Sequence, residues 1–281
     1  MFASLLTYVL FATAALARPN PRLEARLARR AAGSRLSSPR LPSNGPAALA
    51  SNVTNAEFSS NWAGASFESP AGTYKAVTGT FVVPSPTAPS GGSSTFAASA
   101  WVGIDGDTCG TAILQTGIDF TVSNGRVSYD AWFEYFPAFA TDFTGIPACI
   151  AAGNTIKLTA TVASATSGTV TIENVSTGVA LTSSARLCQE NAEWIVEDFE
   201  EGNSLVPFAD FGTVTFTNAV ATLVSGGTTG PTGAVIIDLE QSNKVLTSVS
   251  TTSTSVTVEY KHKGSTVRGT GTTRATESFL N

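Results

Sequence analysis

The chain has 281 residues, 42% of them hydrophobic and only 13% charged, with a net charge of −5 and a single histidine. That lone imidazole, His262, nearly excludes a nucleophile–histidine relay, which needs the ring to shuttle a proton, and a zinc site built on histidine ligands fails for the same reason. What remains is carboxylate and amide chemistry, which suits an acidic medium.

In chain order, the first feature is the apolar run MFASLLTYVLFATAALA, ending in Ala15-Leu16-Ala17 before Arg18. It reads as a secretory signal peptide over 1–17 and is too short for a spanning helix. The expectation is a secreted, extracellular protein with neither membrane nor nucleic acid among its partners. On that route the sequons at Asn52 and Asn174 become available for glycosylation.

Charge is unevenly spread. Residues 18–56 carry seven arginines against Glu24, a net of +6, whereas residues 57–260 carry 19 acidic side chains against five basic ones, a net of −14. An Arg- and Pro-rich segment with so little to bury forms no core of its own, and 18–56 is read as a basic propeptide expected to inhibit by docking on the acidic domain. Residues 261–281 turn basic again, a tail to which no role is assigned. Once its carboxylates protonate, the 57–260 domain keeps only five positive side chains, so self-repulsion does not drive unfolding in acid.

From Asn61 to Tyr260 the runs 76–84, 97–105, 126–136, 155–162, 169–175, 213–219, 234–240 and 255–260 alternate at period two and read as strands, with loops at 84–95 and 224–233. No amphipathic helical period is present. So many strands predict a single all-β domain, a sandwich or a barrel. Residues of equal parity share a face of a strand. Trp101 therefore goes with Asp105, Gln115 with Asp119, Asp130 with Trp132 and Glu134, and Glu193 with Glu197. The other faces carry Ala100, Val102 and Ile104, then Leu114, Ile118 and Phe120, then Ala131, Phe133 and Tyr135, with Trp194 and Val196 opposite the two glutamates; these are the expected core. An outer face gathering Trp, Asp, Glu and Gln describes a binding cleft, or else an ordinary solvent face; exposed tryptophans among carboxylates favour a site.

Seven blocks in order, NWAGA at 61–65, YKAVTGTFVVP at 74–84, AWVGIDG at 100–106, ILQTGID at 113–119, YDAWFEYFP at 129–137, AEWIVEDFE at 192–200 and FADFGTVTFTNA at 208–219, resemble the fungal glutamic peptidases, also called eqolisins. The resemblance implies a concanavalin A-like (lectin-like) sandwich of two antiparallel sheets. It implies an acid endopeptidase, insensitive to pepstatin, without cofactor or metal, acting on polypeptides and preceded by a pro-segment. A monomer is expected. The catalytic pair falls on Gln115 and Glu197, with supporting or substrate-binding roles for Trp101, Asp105, Asp119, Asp130, Trp132 and Glu134. Strand phase alone leaves Glu193 open as the base; the resemblance selects Glu197.

Peptide hydrolysis needs an activated water, a donor for the developing oxyanion and an acid for the leaving amine. Glu197 can take the water proton and return it to the nitrogen, while Gln115 accepts through its carbonyl and donates through an NH2 that never titrates. Asp119 and Asp105 are expected to orient this array, and Trp101 and Trp132 to wall the cleft. Two rival readings use the same sheet: a lectin-like module stacking sugars on tryptophan, and a glycoside hydrolase with Glu134 and Glu197 flanking the bond. Among the three cysteines, Cys109 precedes the Gln115 strand and Cys188 the Glu197 strand, so a Cys109–Cys188 bridge is expected, with Cys149 free.

Overall fold

The computed structural model describes residue 28 and residues 34–43, 56–89, 95–143, 150–173 and 177–261. The signal peptide, both sequons, Cys149, His262 and nearly all of the tail lie outside these residues.

Alternation of apolar and polar residues builds two large sheets. The eight-stranded sheet runs in the order Thr177–Thr182, Ser167–Glu173, Thr155–Ser164, Tyr74–Val82, Thr213–Leu223, Ser255–Tyr260 and Thr247–Thr251, with Thr228–Thr229 paired onto the Thr213–Leu223 strand. The ten-stranded sheet runs Pro42–Ser43, Ala56–Ser59, Val235–Gln241, Trp62–Glu68, Asn191–Glu197, Thr95–Ile104, Ile113–Ser123, Arg126–Phe136 and Thr141–Asp142, with Lys244–Val245 beside Val235–Gln241. Pairing is antiparallel except between Ala56–Ser59 and Val235–Gln241, which run parallel. A third, two-stranded piece joins Arg35–Leu36 to Glu200–Glu201.

The two large sheets pack face to face as a sandwich. Val102, Ile104, Leu114, Ile118, Trp194 and Val196 from one meet Val77, Phe81, Leu158, Phe216 and Val258 from the other, all buried in one core. Each such side chain contributes roughly 1.5–3 kcal/mol by leaving water. Trp194 also donates its indole N–H across the layers to the carbonyl of Thr78 at 2.8 Å. Gly79 makes room for that ring, since a Cβ there would stand 2.9 Å from its Cδ1.

The expected core faces are the ones that face this layer, and the expected all-β sandwich is observed. Three local expectations need correction. Residues 62–68, too rich in Ala and Gly to alternate visibly, form a strand in the middle of the ten-stranded sheet. The 224–233 stretch, read as loop, contributes the short strand Thr228–Thr229. The opposite face of the ten-stranded sheet, expected to be open, is buried: Trp101, Trp132, Gln115 and Glu197 each have no exposed surface, because residues 34–43 lie across them.

Candidate active site

Four neighbouring strands present the site as a grid. Backbone register aligns Glu193, Gly103, Gln115 and Glu134 in one row, Ile195, Trp101, Gly117 and Trp132 in the next, and Glu197, Ser99, Asp119 and Asp130 in the third. With a side-chain period of two, all three rows face the same way. Two glycines make room for the tryptophans: a Cβ on Gly117 would stand 2.6 Å from Cβ of Trp101 and 2.9 Å from the Trp132 ring, and one on Gly103 would stand 2.8 Å from the Trp101 ring. Trp101 and Trp132 each anchor their polar edge, to Glu197 Oε2 at 2.9 Å and Ser99 Oγ at 3.0 Å respectively. Trp62, beside Glu197 in the register, packs edge-on against Trp101 with ring centres 4.9 Å apart.

Gln115 and Glu197 meet over one peptide group of the 34–43 segment. The Gln115 amide donates to the carbonyl of Ser37 at 3.4 Å and to Glu134 Oε1 at 3.2 Å. Glu197 Oε1 accepts the backbone N–H of Ser38 at 3.1 Å. Burial pushes the Glu197 carboxyl up to about 7, against the lowering influence of Arg35 and of its hydrogen bonds from Ser37 and Trp101. With residues 34–43 over it the carboxyl therefore holds its proton far above the range of an ordinary glutamate, so in acid most of it can give a proton to a leaving nitrogen and only its minor ionised fraction can take one from water. Oε1 of Gln115 is buried and accepts from no protein donor among the described residues.

Around this pair the segment is held by charge. The fully buried Arg35 reaches Asp119 Oδ1 at 3.0 Å and Glu134 Oε2 at 3.3 Å, its guanidinium carbon 4.1 Å above the Trp132 ring and 4.4 Å from that of Phe199. Ser37 N–H donates to Glu134 Oε2 at 3.1 Å. At the other end Arg40 pairs with Asp107 at 2.8 Å and with Glu57. The backbone between is caught by the carboxamide of Asn61, which accepts from Leu41 N at 2.8 Å and donates to Pro39 O at 3.1 Å, and by the Trp62 indole, which donates to Ser38 O at 3.1 Å.

Of the residues singled out in the sequence, Gln115, Glu197, Trp101, Trp132, Asp119, Asp130 and Glu134 come together on this face. Asp105 does not join them. The Thr95–Ile104 strand ends one residue before it and its backbone turns to φ 68°, so strand parity no longer applies. Its carboxylate instead receives the backbone N–H groups of Gln189 and Glu190 at 2.8 Å and of Asn191 at 3.3 Å, fixing the turn that leads into the Glu197 strand. Glu193 stands one row beyond Ile195, fully buried, with no hydrogen-bond partner for either oxygen among the described residues. Cys109 and Cys188 are bridged as expected. With Asp105 they form a cluster of potential metal donors, but sulfurs joined to each other are not thiolate ligands. Strand phase overlooked Asn61, Trp62, Ser99, Asp107 and Phe199. Register would have supplied Ser99 and Trp62, which flank Glu197 on its two neighbouring strands.

The Peptidase A4 family profile matches residues 60–260. The chain is 50% identical to Aspergillopepsin-2 of Aspergillus niger over 285 residues, 92% of this chain and 99% of that protein. It is 42% identical to Scytalidopepsin B of Scytalidium lignicola over 222 residues, 74% of this chain and 81% of that protein. Among solved structures, scytalido-glutamic peptidase with a transition state analog inhibitor superposes with a TM-score of 0.64 at 39% identity, covering 72% of this chain and 98% of the other. Aspergilloglutamic peptidase from Aspergillus niger superposes with a TM-score of 0.55 at 54% identity, covering 59% and 99%. None of these supports the lectin or glycoside hydrolase readings.

Proposed function

The chain belongs to the Peptidase A4 family and is a glutamic-type peptidase, and on that premise we propose that it is a secreted acid endopeptidase, made as a zymogen, in which Gln115 and Glu197 activate water against the peptide bond. The observation that carries this reading is the peptide group lying between the Gln115 amide and the Glu197 carboxyl. Glu197 takes a proton from the attacking water and delivers it to the departing nitrogen, while the Gln115 NH2 holds the oxyanion and its Oε1 accepts from the water. Trp101 orients the Glu197 carboxyl through its indole N–H. Glu134 orients Gln115, Asp119 and Asp130 complete the acidic floor of the cleft, and Trp132 and Trp62 keep it dry. Asp105 acts at a distance, by holding the turn before the Glu197 strand.

Zymogen behaviour is supported by the same contacts. Residues 34–43 fill the cleft where a polypeptide substrate would lie, and their ion pairs with Asp119, Glu134, Asp107 and Glu57 require charged carboxylates, so acid weakens them. A protein secreted at neutral pH would stay closed and open on acidification.

The test is hydrolysis of a denatured protein at acidic pH by the processed enzyme, with and without pepstatin, beside Gln115→Ala and Glu197→Gln variants that keep native circular dichroism. Activity should resist pepstatin. It should fall by about 100- to 1,000-fold without the amide and by about 100- to 10,000-fold without the carboxyl. The double variant should be hardly worse than the poorer single one, because both groups act on one water. A folded Gln115→Ala enzyme of near-normal activity would remove the glutamine from the mechanism.

A further inference from the structure

The segment over the dyad has a direction and a register. It runs from Ser34 to Ser43, strand at Arg35–Leu36 and at Pro42–Ser43, pinned on one side where Arg35 O accepts from Ala140 N at 3.1 Å and Ser34 O from Gly202 N at 3.0 Å, and on the other where Arg40 N donates to Gly106 O at 2.9 Å. Between these anchors a single peptide unit touches both proposed catalytic groups, by its carbonyl oxygen to Gln115 and by its nitrogen to Glu197. That is the polarity hydrolysis requires, with the oxygen that becomes an oxyanion beside the amide donor and the nitrogen that departs beside the carboxyl that must protonate it.

We propose that Ser37–Ser38 is the first peptide bond cut by this protein's own Gln115 and Glu197, within the same molecule. The inference rests on the reading of those two residues as the catalytic pair. Starting from the ionised fraction of Glu197, water adds to the carbonyl carbon of Ser37 and gives a proton to that carboxylate, and the oxyanion forms against Gln115. Glu197 then passes the proton to Ser38 N as the C–N bond breaks, leaving a carboxyl on Ser37 and an amine on Ser38. No co-reactant beyond water is needed.

Register is what makes the bond specific. Sliding the segment by one residue would turn Arg35, which stands in a strand, away from Asp119, Glu134 and Trp132, since successive side chains of a strand point in opposite directions, and would shift Arg40 along the chain from its place beside Asp107. Two buried or half-buried arginines thus fix one bond over the dyad. Reaction inside one molecule also gains from the reacting groups being already in place. The new amino terminus at Ser38 stays tied through Arg40 and Asn61, while the portion ending at Ser37 stays tied through Arg35, the Ser37 N–H and the pairing of Arg35–Leu36 with Glu200–Glu201. The cut therefore divides the strap between two separately held pieces, each able to leave alone.

The experiment follows the full chain, purified at neutral pH, after acidification at widely different protein concentrations, with intact mass and amino-terminal sequencing of quenched samples. The expected result is that a terminus at Ser38 appears first, with a first-order rate constant independent of concentration. It should not appear in the Glu197→Gln chain. Ser38→Pro, which removes the N–H that meets Glu197 and alters no residue of the mature site, should abolish the early Ser38 terminus. That variant, once processed by added active enzyme, should still hydrolyse denatured protein normally. A rate proportional to concentration, an earlier cut elsewhere, or unchanged processing of Ser38→Pro would overturn the inference. A chain that digests denatured protein while keeping Ser37–Ser38 intact sinks the inference and spares the peptidase reading; a chain that does neither sinks both.

Discussion

Trp101 and Glu197 sit on adjacent strands and are joined by one hydrogen bond, from the indole N–H to Oε2 at 2.9 Å. The bond favours the carboxylate, so it lowers a carboxyl that burial raises. Trp101→Phe keeps the apolar wall and removes only the donor. A hydrogen bond to a charged group is worth about 1.5–3 kcal/mol, which corresponds to a further rise of about 1–2 pH units in the Glu197 carboxyl. The limb of the kcat/KM profile that reports this group should move to higher pH by that amount in the processed enzyme. An unmoved limb in a folded variant would mean that the indole does not tune the carboxyl.

Arg35 makes the deepest contact of the strap. A peptide spanning residues 34–43 should inhibit the processed enzyme, and replacing its arginine at position 35 by alanine should weaken inhibition by at least about 100-fold, because one side of a buried ion pair is lost while Asp119 and Glu134 remain buried. Inhibition of the unaltered peptide should fade as pH falls. The facing groups are Asp119 and Glu134 at one end and Asp107, Glu57 and Glu68 at the other; of these, burial raises Asp107 and Glu68, so they lose charge at a higher pH than ordinary carboxylates. Inhibition constants measured across pH for both peptides check this.

Glu193 makes stability depend on pH in an unusual direction. Burial raises its carboxyl well above the ordinary range, with Asp105 and Asp107 adding to the rise, and Asp198 is raised likewise by burial. A group whose pKa is higher folded than unfolded gives its full contribution below the unfolded value and loses it as pH climbs through the folded one. The melting temperature should therefore be highest in acid and decline toward neutrality. Glu193→Gln should flatten that decline whatever it does to the absolute melting point; an equally steep decline would exonerate Glu193.

The Cys109–Cys188 bridge joins the approaches to the Gln115 and Glu197 strands. Replacing both cysteines by alanine should cost about 2–5 kcal/mol of unfolding free energy. Activity of the molecules that remain folded should change much less, because Asp105 still holds the turn at 189–191. Denaturant melts and specific activity on the same preparation separate the two effects.

Parity was enough to bring Gln115, Asp119, Trp101, Trp132, Glu134 and Glu197 to one face, because a period of two survives the whole length of a regular strand. It failed at Asp105, where the strand has already ended in a left-handed residue. The acidic domain and the basic segment were legible as opposite charges, and docking followed from that. Which arginine would enter the cleft was not: Arg35 meets Asp119 across 84 positions of sequence, and nothing near Arg35 distinguishes it from six others. The glycines at 103 and 117 carried information that a count of polar residues ignores, since they mark where indole rings lie flat on the sheet.

The last two residues of the strap, Pro42 and Ser43, are themselves the border of the ten-stranded sheet, paired with Ser59 and Phe58. Losing them along with the rest of the segment would leave Ala56–Ser59, with Glu57 in its middle, as the new border, its outward N–H and C=O groups unclaimed. Removal of the segment would then do more than clear a groove: it would create a template for strand addition, with the acidic side chain of Glu57 standing in it. Self-association of the mature protein should thus be sought along this border.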